Sequence, residues 1–251
     1  MPYAVLQQSL DQVLDCNALA DALQQTGSLT RYDSFRLHKE LFGIVARDLE
    51  LATAESLQRA LAASGYPTDI VEDVSLQQLD DPIHPFAIRF EPTGLVVTDL
   101  YGNDALRSWS ELVLAAGGHM QRLTRKQQQK LKWTERNTGE GVESVLTTET
   151  ESAYEEREEF HLEFHFAVEP KRLQCLLNAN TLLRVNGEVI RHRQRDKQHE
   201  ILQFLAAALP ETSINLGIRG ARETEPFVYP SVAAFEEEIV WTQYRRSRQP
   251  R

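Results

Sequence analysis

Residues 159–166 read Glu159-Phe160-His161-Leu162-Glu163-Phe164-His165-Phe166. Alternation this strict predicts a β-strand with two different faces, because successive side chains leave a strand on opposite sides. Phe160, Leu162, Phe164 and Phe166 share one face and are expected in a core. His161, Glu163 and His165 share the other, which is expected to be solvated. Alternate residues on a strand stand about 6.5–7 Å apart, so His161, Glu163 and His165 form a candidate metal site. Zinc accepts imidazole nitrogen and carboxylate oxygen. The cluster supplies at most three ligands, and the remaining histidines are distant in sequence.

The neighbouring sequence predicts further strands. Phe86, Ile88 and Phe90 alternate, Pro92-Thr93-Gly94 is a turn, and Leu95 to Thr98 returns, so 84–100 reads as a hairpin. Short apolar stretches follow at 105–109 and 111–116, ending at Gly117-Gly118, which reads as a turn. Leu173 to Leu177 and Thr181 to Val185 predict two more strands. Ile201, Leu202, Leu205, Ala208 and Leu209 predict an amphipathic helix that stops at Pro210. Five to seven short strands, the Trp109 region and one closing helix resemble the pleckstrin-homology-like small barrel. That resemblance implies a helix plugging one open end.

The first 80 residues are different in kind. A strand is expected at Tyr3-Ala4-Val5-Leu6, and a helix through Val13, Leu14, Leu19, Ala22 and Leu23 stops at Thr26-Gly27. A second helix carries Tyr32, Phe35, Leu37 and Leu41 as far as Gly43. Then come a strand at Ile44-Val45-Ala46 and a third helix with Thr53 as N-cap and Ser64-Gly65 as its stop. A last strand is expected at Thr68 to Val71. The order is β-α-α-β-α-β. With Ala54-Glu55-Ser56-Leu57-Gln58-Arg59-Ala60-Leu61, Ser64-Gly65 and Ile70-Val71, residues 1–73 resemble the C-terminal domain of the bacterial ribosomal stalk protein. The Clp-protease adaptor shares that fold. The resemblance implies a docking module. The stalk domain's basic recruiting surface is missing from the first helix, Asn17 to Gln24, and the second offsets Arg31, Arg36 and Lys39 with Asp33 and Glu40. The degron adaptor's Asn-Asp pair does not follow the first strand.

The fold class expected is therefore α+β. A β-α-α-β-α-β sandwich over 1–78 precedes a β-rich, barrel-like or sheet domain over 82–251, after the Asp80-Asp81-Pro82 linker. A charged insertion interrupts the second unit at 119–158. Its first half carries Arg122, Arg125, Lys126, Lys130, Lys132, Trp133 and Arg136. Its second half carries Glu140, Glu143, Glu149, Glu151, Glu155, Glu156 and Glu158. Low hydrophobicity predicts a long disordered loop. Functionally it reads as a tethered basic arm, held by its own acidic half until an acidic partner displaces it. Trp133 among these cations offers a stacking surface for a base. After Pro230-Ser231 a terminal helix is expected, with Val232, Phe235, Ile239 and Val240 as its stripe. Glu236-Glu237-Glu238 lies near its start and Arg245, Arg246 and Arg248 near its end, an order that complements the helix dipole.

Among the 251 residues the formal net charge is −10, which opposes non-specific binding to nucleic acid. Cys16 and Cys175 have no zinc spacing and read as free thiols in a reducing compartment. The start has no basic, then apolar, leader, and no stretch approaches the roughly 20 apolar residues of a membrane span. A cytoplasmic location is expected. Nucleotide loops, the Gly-x-Ser-x-Gly elbow and carboxylate dyads are absent, so no cofactor is expected. The reading is a non-catalytic interaction or regulatory adaptor whose partner is another protein. The alternatives are a hydrolase using a metal on His161, Glu163 and His165, and a sensor of anionic lipid or phosphate acting through the barrel and the basic insertion.

Overall fold

The computed structural model describes residues 1–12, 14–26, 40–137, 142–169, 171–176, 182–185, 188–190, 194–222 and 227–248. The side chains of 123–156, 176 and 185 fall outside that description. The helix expected through Tyr32, Phe35 and Leu37 also lies outside the described residues.

The first unit runs β1 (Tyr3–Gln7), α1 (Cys16–Gln25), β2 (Ile44–Leu49), α2 (Leu51–Ala63) and β3 (Thr68–Glu72). β1 is the central strand, antiparallel to both neighbours, in the order β2-β1-β3. Asp15 starts α1 by accepting from the backbone N–H groups of Asn17 and Ala18. α2 is capped three residues before the expected Thr53, at Glu50, without a side-chain hydrogen bond. Its end falls at Ser64, with Gly65 at φ +87, as the sequence predicts. Val5 and Val45 bury against Leu19, Leu23, Leu57 and Leu61 of the two helices. Ala4, Leu6 and Ile44 bury on the opposite face, so this small sheet is covered on both sides.

The second unit holds two open sheets. One is formed by β4 (Ala87–Glu91), β5 (Gly94–Thr98), β6 (Asp104–Ser108), β10 (Leu182–Val185) and β11 (Glu188–Ile190). The other is formed by β7 (Leu112–Asn137), β8 (Val142–Phe166), β9 (Arg172–Leu176) and β12 (Val228–Tyr229). The orders are β11-β10-β4-β5-β6 and β12-β7-β8-β9. Neither sheet closes on itself, which corrects the barrel expectation. β9 pairs with β8, whereas β10 joins β4 in parallel, so consecutive strands divide between two sheets. The α+β class stands.

Phe160, Leu162, Phe164 and Phe166 enter a core with Ile88, Leu95 and Leu183 of the facing sheet. Helix α3 (Arg195–Ala208) contributes Ile201, Leu202 and Leu205 to that core. Gly117 and Gly118 are not a turn. They lie inside β7, where a Cβ at Gly117 would meet Leu202 Cδ2 at 2.7 Å and one at Gly118 would meet Tyr229 Cε2 at 2.7 Å. The glycines let α3 and β12 approach the strand closely.

A short helix, α4 (Leu216–Gly220), and the terminal helix α5 (Val232–Arg248) are the last helices described. α5 starts where Pro230-Ser231 predicts, and Ser231 Oγ accepts from Ala234 N at 3.0 Å. The helix lies between the two units. Phe235 and Ile239 pack with Leu114, Ala116 and Met120 of β7. Val240 packs with Ala4, Leu6 and Ile44 of the first sheet. Trp241 Nε1 donates to Gln7 O at 2.8 Å, and Arg245 bridges Gln7 O and Asp69, each at 2.6 Å.

Candidate functional site

His161, Glu163 and His165 do not face solvent. They are 7%, 0% and 5% exposed, beneath α5. The expectation of a solvated face fails because the terminal helix, far away in sequence, lands on it. His161 sits edge-on to Phe235, with ring centres 6.1 Å apart.

The partner of Glu163 is Arg172, one strand away. Nε donates to Oε2 at 2.9 Å and Nη2 to Oε1 at 3.0 Å, while Gln174 Nε2 donates to Oε1 at 2.6 Å. Arg172 also reaches Glu236 Oε1 of α5 at 2.8 Å and the carbonyl of Asp80 at 3.2 Å. His165 Nε2 lies 3.3 Å from Glu163 Oε2, and His161 Nε2 lies 3.8 Å from Glu159 Oε2. Burial pushes the Glu163 carboxyl up, but the close approach of His165 and the hydrogen bonds and charge of Arg172 outweigh it and bring the pKa to about 2. Burial lowers His161, against the opposing pull of Glu163 and Glu159. A guanidinium therefore occupies the place beside Glu163 that the metal reading gives to a cation. Among the described residues no three His, Cys, Asp or Glu side chains are placed to hold a metal ion.

Sequence reasoning missed Arg172, Gln174 and Glu236. A signal existed for the first two, since Arg172 and Gln174 alternate with Leu173 and Cys175 just as His165 and Glu163 alternate with Phe164 and Leu162. Burial pushes the Cys175 thiol well up, so it is an inert core group.

A second buried polar group was also missed. Asn215 Oδ1 accepts from Gly117 N at 3.0 Å and Ile218 N at 3.1 Å, and its amide donates to Tyr229 Oη at 2.7 Å. Tyr229 Oη donates to Glu238 and accepts from Gly217 N at 2.9 Å. Glu238, fully buried, also accepts from Leu216 N at 2.6 Å. Burial raises its carboxyl despite these donors. This group ties β7, α4, β12 and α5 together.

The segment 119–158 is the third feature, and its backbone corrects the loop expectation. β7 and β8 pair in continuous register from Leu114↔His165 to Asn137↔Val142. β12 reaches β7 only at His119 and Met120, and β9 reaches β8 only from His161 to His165. Beyond those points the described residues give neither arm a third strand. What remains, from Gln121 to Asn137 and back, is a two-stranded ribbon roughly 55 Å long at about 3.3 Å per residue.

The register sorts its residues. Directly opposed residues of an antiparallel pair share a face. Arg122, Lys126, Lys130, Lys132 and Arg136 thus fall on one face with Glu143, Glu149, Glu151 and Glu155. Lys130 is opposite Glu149 and Arg136 opposite Glu143. Arg125, Leu131, Trp133, Leu146 and Tyr154 fall on the other face. At the base, where side chains are described, Arg122 Nη1 meets Glu159 Oε1 at 3.0 Å.

No family model matches the chain, and no match is found among the curated proteins or the solved structures. No helix among the described residues is long and apolar enough to cross a membrane.

Proposed function

We propose that the chain is a non-catalytic interaction adaptor whose working part is the β7–β8 ribbon, an acidic protein segment being the partner. The observation that carries this is the register. It lays the basic arm, Arg122 to Arg136, along the acidic arm, Glu143 to Glu159, with most of the cations and acids on one face. Two directly opposed pairs are of unlike charge, Lys130 with Glu149 and Arg136 with Glu143, each contributing about 0.2–1 kcal/mol, while Arg122 stands opposite Arg157, so charge holds the two arms together only weakly. A two-stranded ribbon is marginal by itself. It can exchange its own acidic arm for another acidic strand without disturbing the sheet from which it grows. Unpaired strand edges accept such a strand. The tethered arm competes at a millimolar-order effective concentration, so the partner must present several acids in succession.

The test is a titration of the full-length protein with a fluorescein-labelled oligo-glutamate peptide. Changing Glu143, Glu149, Glu151 and Glu155 to Gln is expected to tighten binding at least tenfold. Changing Lys126, Lys130, Lys132 and Arg136 to Gln is expected to abolish it. Raised salt weakens binding in every case. Equal affinity across the three proteins overturns the proposal.

A further inference from the structure

We infer that the cleft beside the Glu163–Arg172 pair is a binding site for a small soluble phosphate-bearing molecule. The cleft is about 1060 Å³ and is built from Val113 of β7 and four further pieces of chain. They are the linker at Gln77, Gln78 and Asp80, the end of β8 with Lys171, the turn at Thr212, and the last turns of α5 at Gln243, Arg246 and Ser247. Clefts at such junctions are where small molecules are usually held.

Its chemistry is rich in donors. Among the described residues that line it, Lys171 and Arg246 are the fixed cations and Asp80 is the carboxylate. Lys171 lies 3.7 Å from Glu169, which is 79% exposed. A solvated pair of this kind is weak and leaves the ammonium to a better anion. Arg246 is steadied through one nitrogen, Nη1, by Ser213 Oγ at 3.1 Å and Thr212 O at 3.4 Å. The rest of its fork remains for a ligand, and a planar fork suits phosphate oxygens. Among the described residues the amides of Gln77, Gln78 and Gln243 make no hydrogen bond within the protein, so their donors are uncommitted.

The floor is rigid. His165 lines the cleft, and behind it Glu163 is fixed by Arg172 and Gln174. Phe166, the one Phe, Tyr or Trp among the described residues of the wall, is 4% exposed and carries the Arg107 guanidinium 4.5 Å from its centre. It offers no face for stacking a base. The site therefore selects for a phosphate group on a polar body, with Asp80 as acceptor for a hydroxyl.

The test is isothermal titration of the full-length protein with inorganic pyrophosphate at constant ionic strength. Three variants are compared, namely Lys171→Gln, Arg246→Gln and, as a control outside the cleft, Arg222→Gln. Saturable binding is expected in the wild type and in Arg222→Gln, with at least a tenfold loss in each cleft variant. Lys171 is exposed and lies in a loop, so its variant decides the matter if Arg246→Gln does not fold. Flotation with phosphatidate vesicles separates the two sources of the phosphate group: no Lys171-dependent flotation supports the soluble ligand, and flotation assigns the same chemistry to a lipid headgroup. No saturable binding of pyrophosphate, or equal binding in all four proteins, overturns the inference. A protein with the ribbon charges neutralised is expected to bind pyrophosphate normally, which separates this site from the ribbon.

Discussion

Arg172 holds Glu163 through two parallel hydrogen bonds, at 2.9 and 3.0 Å, in a place where Glu163 is fully buried. The pair lies between a sheet and the helix that links it to the first unit. Removing one member strands the other. Arg172→Met is expected to cost about 3–5 kcal/mol, because it leaves a buried carboxylate without its counter-charge. The double variant Glu163→Leu with Arg172→Met is expected to regain most of that loss. Urea denaturation of the wild type and both variants measures it.

Acid is expected to destabilise the fold in two separable steps. His119 is 2% exposed, and burial, then the Arg195 charge, lowers its pKa to about 4. The unfolded chain takes up a proton near pH 6.5 and the folded chain does not, so stability falls between pH 6.5 and about 4, by at most about 3 kcal/mol. His161 is also lowered by burial, so its contribution likewise begins to be lost as pH falls below 6.5. Glu163 works lower. Its folded pKa of about 2 lies below the ordinary 4.5, so its contribution is whole above 4.5 and is lost as pH falls towards 2. His119→Leu is expected to flatten the upper step and leave the lower one. Melting temperatures across pH 2–8 test both.

Tyr229→Phe is expected to destabilise by about 1–3 kcal/mol. The hydroxyl it removes serves Glu238, Asn215 and Gly217 N at once, and buried groups left unpaired bear the full desolvation cost. Denaturant midpoints at pH 7 provide the measurement.

Gly43→Ala is expected to loosen the junction between the units. Gly43 has φ +80, and a Cβ there would lie 2.7 Å from Trp241 Cγ. Strain and clash together make a loss of about 1–3 kcal/mol reasonable. The intrinsic fluorescence of Trp241, read in a Trp109→Phe, Trp133→Phe background, and the thermal midpoint should shift together.

Local signals were legible in the sequence where one element settles its own state. The Phe160 to Phe166 alternation, the Ser64-Gly65 stop, the 84–100 hairpin and the Pro230-Ser231 start all rest on neighbouring residues. What depends on distant packing was not legible. Gly117-Gly118 resembles a turn until Leu202 and Tyr229 are seen against it. His161, Glu163 and His165 resemble a wet face until α5 covers them. The insertion resembles a loop because its polarity is visible in one dimension, whereas the pairing of Lys130 with Glu149 is visible only in register. The sheets stay open because β9 and β10 take different partners, which no periodicity encodes.

The most direct measurement is amide hydrogen exchange over residues 122–137, with and without saturating oligo-glutamate peptide. If the acidic arm masks the basic arm, these amides are protected in the free protein. Protection of the acidic arm, 143–158, then falls when the peptide takes its place. Exchange at the unprotected rate in the free protein, or protection of 143–158 unchanged by bound peptide, would contradict it.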